Sequence, residues 1–331
     1  ENRILISHGL TALARTTNPG LRALLAHAQL EDGPISGGDV GWKLGPLLNA
    51  SGRLGSAMAN ITLLTTTDRN QADAVLADII DENTERKRLT QLLTDDLSAT
   101  LAADPTLHTR SALVMAGEGW HQGIVGIVAS RLVEQFGKPA VVIAINDGIG
   151  KGSLRTIPTV HLGEAVEACR LHLLKGGGHA MAAGLTIESQ KIPAFSQAFE
   201  QHVAARIMPG SHMPRTEYDA DVAVEELDTD FFTTLASLGP FGNGNPEPLL
   251  QLAAVSFAAR PQLFGRDGNH IRGALTSSRG GMRELLAWKA KDRFGSLVTS
   301  GARFDLLVRP EISRWRGEAQ HRLVFVDGRS A

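Results

Sequence analysis

The segment "KGGGHAMAAG" sets Lys175, the three glycines Gly176, Gly177 and Gly178, and His179 in immediate succession. Glycine loses more conformational freedom on folding than any other residue, so three in a row imply a backbone that must come very close to something. A phosphate, a neighbouring strand or a tight turn would each fit. Successive glycine N–H groups can form an anion-binding nest. Lys175 would add positive charge, and His179 can donate a hydrogen bond or move a proton.

A second glycine-flanked element, "GKGSLRTIP", places Ser153, Arg155 and Thr156 within four residues. Arginine's planar fork matches a phosphate in two hydrogen bonds. The same polar groups would also serve a loop that caps the following helix. "NASGRLG" puts Asn49 and Arg53 on an expected loop. "DENTERK" puts Asn83 and Arg86 three residues apart, hence on one helix face. Arg86 there is either a ligand or a solvated helix residue. "GEGWHQG" sets Trp120 and His121 just ahead of a helix N-terminus. Such a terminus attracts anions, and His121 would either join in that or cap the helix. Asp219 and Asp221 are spaced like a metal motif, but they stand at the start of an expected strand with no histidine nearby in sequence. They read as surface residues. No other Asp/His cluster suits a divalent metal pair, and no phosphate-binding P-loop, nucleophile elbow or HExxH motif is present.

These residues need elements to hold them. Residues up to about 68 read as helix and loop. From Asn70 to Ala103 there is no Gly or Pro, and Leu89, Leu93, Leu97 and Leu101 recur every four residues. That periodicity predicts one helix of roughly 50 Å. "SALVMAG" and "PAVVIAI" read as buried strands around the helix "GIVGIVASRLVEQFG", a βαβ unit. "HLGEAVEACRLHL", "MAAGLTI" and "IPAFSQAFEQHVAARI" follow as helix, strand and helix, so the middle of the chain is α/β. After Pro214 short strands alternate with Gly-rich turns, the texture of a small barrel or sandwich. A five-stranded barrel with basic strands and a few aromatics would suit single-stranded nucleic acid.

The 331 residues allow two or three domains. A net charge of −2 hides an asymmetry: Arg260 to Arg329 holds 14 Lys/Arg against 7 Asp/Glu. A basic C-terminal part on an acidic body points to a polyanion, or to a solvated arginine-rich surface. The single cysteine, Cys169, excludes an internal disulfide framework. No run of about 18 apolar residues and no signal peptide is seen, so a cytoplasmic protein without membrane contact is expected. Glu1 opens the chain inside what reads as a helix, which predicts a fragment. "GSHM" at Gly210 to Met213 reads as a cloning scar or a native loop.

Seven stretches in order, "NPGLRALL", "GPLLNASGRLG", "DENTERK", "GEGWHQGIVGIVASRLVEQFGKPAVVIA", "GKGSLRTIP", "GGGHAMAAGLTI" and "LGPFGNGNPEP", together resemble the RecJ family of the DHH phosphoesterase superfamily. Those proteins are single-strand-specific 5′→3′ exonucleases. The resemblance implies a multidomain α/β plus all-β chain. Residues 1–67 would be the end of a DHH domain, 68–105 a long connecting helix, 106–210 a DHH-associated domain with the GGGH motif, and 214–331 an OB-fold barrel. The superfamily's Asp-His-His is absent here. The two manganese or magnesium ions would therefore belong to a part that lies upstream, and this chain alone is expected to be inactive.

By the same resemblance His179 would contact the phosphate near the scissile bond, with Gly176, Gly177 and Gly178 admitting the backbone to it. Arg53, Arg86, Ser153 and Arg155 would hold the 5′ phosphate and nearby backbone, with Asn49 and His121 beside them. Leu47 stands where relatives often carry arginine, which either weakens one phosphate contact or marks a peripheral position. Phe257, Phe264, Trp288 and Trp315 are candidates to stack on bases, or barrel core. The implied partners are single-stranded DNA with a 5′ phosphate, a single-strand-binding protein and a RecQ-type helicase, with the chain itself a monomer. Two other readings stay open: a superfamily phosphodiesterase of short RNA or cyclic dinucleotides, which typically lacks the barrel, and a non-catalytic single-strand-binding protein.

Overall fold

A computed structural model describes residues 1–207, 216–265, 267–291, 302–315 and 318–331. Gly210 to Met213 lie outside the described residues, as does the side chain of Trp315. The helices are α1 (Asn2–Ala14), α2 (Pro19–His27), the short α3 (Gly37–Asp39), α4 (Gly45–Leu54), α5 (Met58–Thr65), α6 (Arg69–Ala103), α7 (Val125–Phe136), α8 (Leu162–Ala168), α9 (Ile192–Ala204) and α10 (Thr229–Ser237). The first strands are β1 (Leu113–Glu118), β2 (Ala140–Asn146), β3 (Ile149–Arg155), β4 (Lys175–Gly178) and β5 (Ala182–Glu188). The later ones are β6 (Ala220–Asp221), β7 (Leu250–Phe257), β8 (Gln262–Phe264), β9 (His270–Ser277), β10 (Gly280–Ala287), β11 (Phe304–Trp315) and β12 (Glu318–Ser330).

The chain divides into two compact units. One comprises Asn18–Leu24 and Gly45–Arg215. Its sheet runs β1-β2-β3-β5-β4, with β1 and β2 parallel and the remaining pairs antiparallel. Strand residues alternate between faces, and the burial follows that rule. Val141, Ile143, Leu154, Leu185 and Ile187 pack under α8 and α9, where Phe195 and Phe199 stack at 5.6 Å. Ala140, Val142, Ala144, Leu113 and Met115 pack instead against α7 and the second half of α6. The 35-residue α6 begins at Asp68, whose side chain caps the Asn70 N–H, and ends at Asp104 before Pro105. It buries Leu93, Leu97 and Leu101, three of the four leucines of the four-residue repeat, with Leu89 partly buried beside them. Gly137 ends α7 with φ 63°, a conformation that suits a residue lacking Cβ.

The other unit comprises Glu1–Thr17, Leu25–Leu44 and Thr216–Ala331. Its strands run β6-β7-β11-β12-β10-β9-β8, and β7 also pairs with β9. That extra pairing closes β7, β11, β12, β10 and β9 into a five-stranded barrel, which leaves no open edge among those five. Leu252, Val255, Leu275, Leu285, Phe304, Leu306 and Leu323 fill the interior.

Three local expectations are corrected. Asn49 and Arg53 lie on α4, not on a loop. "GKGSLR" is strand β3, not a capping loop, because its alternate residues Gly150, Gly152 and Leu154 serve the inner face. The helix after Pro158 stops at Ala168, and Arg170–His172 form a separate 3-10 turn.

Candidate anion site and base platform

α4 lies along α6 and buries Leu47, Ala50 and Ser51. Asn49 and Arg53 are four residues apart on its exposed side. Leu47 is 5% exposed, so in this chain the position serves the helix core and not a phosphate surface. The loop before α7 closes against the end of α4. A Cβ on Gly123 would lie 2.1 Å from the Arg53 carbonyl oxygen, and the Arg53 guanidinium donates to the Gly123 carbonyl at 3.3 Å. The His121 Nδ1 accepts the Gly123 N–H at 3.0 Å, which fixes the turn that launches α7.

Ser153 and Arg155 project from β3 toward the first turn of α7. A Cβ on Gly126 would stand 2.9 Å from the Ser153 hydroxyl and 3.2 Å from an Arg155 nitrogen. Arg155 donates to the Ser153 Oγ at 3.0 Å and to the Leu154 carbonyl at 2.7 Å. Arg86, on α6, donates to the Asn83 Oδ1 at 2.9 Å. Its Nε is buried with no hydrogen-bond partner among the described residues. Burial holds the Arg86 guanidinium below the ordinary arginine value, and the charges of Arg53 and Arg131 add to that. Burial and then Arg53 do the same to Arg155. Arg131, on α7, donates to the Thr94 hydroxyl at 3.1 Å.

Arg86 thus feels the charges of Arg53 and Arg131, and Arg155 that of Arg53, and among the described residues none of the four is paired with a carboxylate. Like charges gathered this way cost the empty protein free energy. An anion at the head of α7 would remove that cost, and the helix terminus favours it as well. Arg131 carried no sequence signal, because helix spacing alone does not aim it at Arg86. The Gly123 contact carries a prediction of its own. Gly123→Ala forces the loop off α4, at roughly 1–3 kcal/mol for overpacking, and displaces Arg53. Thermal unfolding and phosphate titration should both worsen; an unchanged melting temperature would contradict the contact.

The triple glycine is not a nest. Gly176, Gly177 and Gly178 are strand β4 at the sheet edge, paired with Leu185, Gly184 and Ala183. None has the positive φ that a nest alternates. Packing explains two of them. A Cβ on Gly176 would meet Val166 at 2.8 Å, and one on Gly178 would meet Ala183 at 2.4 Å. His179 continues β4, donating its N–H to the Ala182 carbonyl at 2.8 Å, and its side chain is exposed. Arg155 pairs with Ala182 from the other side, so His179 and Arg155 belong to one cross-strand row.

In the barrel unit, Phe264, His270 and Trp288 form a triad with ring centroids 5.1–5.6 Å apart. Trp288 is 48% exposed. Gly265, at φ 89°, leaves room for the His270 ring, which a Cβ would approach to 2.7 Å. The His270 Nδ1 accepts the Lys289 N–H at 2.9 Å. Phe257 behaves differently: it packs edge-on to Phe304 at 5.9 Å and belongs to the barrel wall. Asp219 holds the Leu249 N–H at 2.8 Å, and Asp221 is an exposed residue of β6. Among the described residues no three His, Cys, Asp or Glu side chains gather as a metal site, so the residues present do not fit a two-metal centre. Cys169 is buried, and burial pushes its thiol up to about 11, so it is no nucleophile.

Residues 109–205 match the DHHA1 domain, and residues 218–327 match the RecJ OB domain. The chain belongs to the RecJ family. Over 331 residues it is 30% identical to the single-stranded-DNA-specific exonuclease RecJ of Bacillus subtilis (strain 168), covering 99% of this chain and 41% of that protein. The crystal structure of RecJ from Thermus thermophilus in complex with Mn2+ superposes with a TM-score of 0.82 at 28% identity, over 100% of this chain and 47% of that one. The Mg2+ complex of RecJ from the same organism gives 0.78 at 26%, over 100% of this chain and 49% of that one. The chain therefore spans less than half the length of these RecJ relatives. Divalent metal accompanies RecJ in both crystal structures. Among the described residues no helix is long and apolar enough to cross a membrane.

Proposed function

We propose that this chain is the substrate-holding part of a single-stranded-DNA 5′→3′ exonuclease acting in DNA repair and recombination. The observation that carries this reading is the arginine cluster near the head of α7, none of it ion-paired among the described residues, with the buried Arg86 Nε lacking a hydrogen-bond partner. A terminal 5′ phosphate carries two charges and three acceptor oxygens, which suits Arg53, Arg86, Arg155 and the Ser153 hydroxyl. Holding that end sets the polarity of degradation. Asn49 and His121 would stand beside them, and His179 would meet the strand along the row it shares with Arg155. The barrel would hold the strand further on by phosphate contacts and base stacking.

Two divalent ions, manganese or magnesium, would supply the attacking water and stabilise the leaving oxygen in the intact protein. They would be bound by a DHH domain, not by residues of this chain, which alone should not hydrolyse DNA. The residue ranges 1–67, 68–105, 106–210 and 214–331 remain our proposed domain division. A cytoplasmic monomer working with single-strand-binding protein and a RecQ-type helicase completes the proposal, on the strength of the family resemblance.

The test uses single-stranded DNA with a 5′ phosphate and a 3′ label, in manganese. We expect binding whose log affinity falls linearly with log salt, tighter than for the 5′-hydroxyl strand, and no nucleotide release. Release that persists through stringent purification would overturn the inactivity. Absence of binding would overturn the substrate-holding role.

A further inference from the structure

The outer face of the barrel carries a ladder of alternating charge. Leu275, Leu285, Leu323 and Ile312 belong to the barrel core. Strand residues alternate between faces, so their neighbours Ala274, Glu284, Arg322 and Glu311 lie on the outside. Register sets these four in one row: Glu284 pairs with Ala274 and with Arg322, and Arg322 pairs with Glu311. Arg272, two residues before Ala274 on β9, donates to the Glu284 carboxylate. Arg322 donates to both Glu311 carboxylate oxygens, at 2.9 and 3.2 Å. Across β9, β10, β12 and β11 the order is therefore Arg, Glu, Arg, Glu.

This ladder shares its face with the aromatic triad. His270 precedes Arg272 by two residues on β9, and Trp288 follows Glu284 by four. Rows on one face are about 7 Å apart along a strand, so a single strand stacked on Trp288 and laid over this face passes the ladder within two rows. Holding a strand by its phosphates takes free cations. Arg309, on the outer side of β11, is exposed and has no ion-pair partner among the described residues. Arg272 and Arg322 are instead already neutralised. Surface ion pairs add little to the stability of a fold, so stability does not account for the ladder. Its effect falls on the field that a phosphate meets. A phosphate that takes either arginine must displace a carboxylate and then lie beside it, and like charges set together weaken binding.

We propose that Glu284 and Glu311 are built-in competitors of the strand's phosphates, which keep the barrel's grip on single-stranded DNA below what its arginines could reach. This rests on the reading of the barrel as the strand-holding domain. That reading also supplies the reason. A strand consumed from one end has to move, and a phosphate exchanged against a carboxylate leaves more easily than one seated on a free guanidinium.

The probe is an oligothymidylate, titrated into the full chain from about 50 mM to about 500 mM salt. The double variant Glu284→Gln, Glu311→Gln should bind it about tenfold or more tightly at the lower salt. Two freed arginines should also steepen the fall of log affinity with log salt by roughly 1.4, at about 0.7 per phosphate contact on a single strand. The melting temperature should hardly move. Each single variant should give about half the change in log affinity, so the result does not hang on the double variant alone. The control Asp230→Asn, Glu247→Gln removes two exposed carboxylates outside these strands. It alters net charge equally and should leave affinity and slope near their native values. An unchanged or weaker affinity after Glu284→Gln, Glu311→Gln would overturn the competition, and so would an equal gain in the control. The barrel reading fails by a different result: a native chain that does not bind the oligothymidylate removes that reading, and the competition with it.

Discussion

Arg86→Met weakens binding of a 5′-phosphorylated strand by about 30- to 4,000-fold while the melting temperature barely moves. The range converts the roughly 2–5 kcal/mol lost when one partner of a buried, hydrogen-bonded charge pair is removed. Stability is spared because two effects oppose. Burial and the nearby charges of Arg53 and Arg131 disfavour the Arg86 guanidinium, so its removal relieves the empty protein. Against that, the Asn83 Oδ1 loses its partner on a residue that is 6% exposed, at about 1–3 kcal/mol for an unsatisfied buried group. Equilibrium titration beside thermal unfolding separates the terms. A fall in both together would make Arg86 a structural residue, and full binding by the variant would remove it from the pocket.

Trp288→Ala lowers single-strand affinity by about 5- to 150-fold, the equivalent of roughly 1–3 kcal/mol per stacked base. The ring is half-exposed and is held by Phe264 and His270 instead of by the barrel interior. The fold should therefore tolerate its loss. Phe304 is the contrast: it is 1% exposed within the core, and its truncation should cost about 3–5 kcal/mol of stability. Fluorescence titration with an oligothymidylate, with melting curves of both variants, gives the comparison. An unchanged affinity in Trp288→Ala would move the contact to another part of the barrel.

Helices and strands with strong periodicity were legible from residues alone. The leucine repeat of α6, the two apolar strands around α7 and the Gly137 stop each state their structure locally, because hydrophobic spacing and one left-handed position are sufficient. The residue types gathered at the candidate anion site were legible too. Arg53, Arg86, Ser153 and Arg155 sit in short polar stretches that arginine–phosphate chemistry singles out.

What the chain alone did not state is which face each residue uses. "GKGSLR" and "KGGG" are poor in the β-branched residues that mark strands, and they become strands through their partners: the first lies between β2 and β5, and the second pairs with β5. That pairing decides that Gly176 and Gly178 serve packing, and that Lys151 and Lys175 share a row although 24 positions separate them. Phe257 and Trp288 look alike as candidates in sequence. Barrel closure through β7 and β9 sends one into the wall and leaves the other at the surface. Residue type sets what a side chain can bind, whereas long-range strand register sets what it meets, and register depends on partners that no local window of sequence contains.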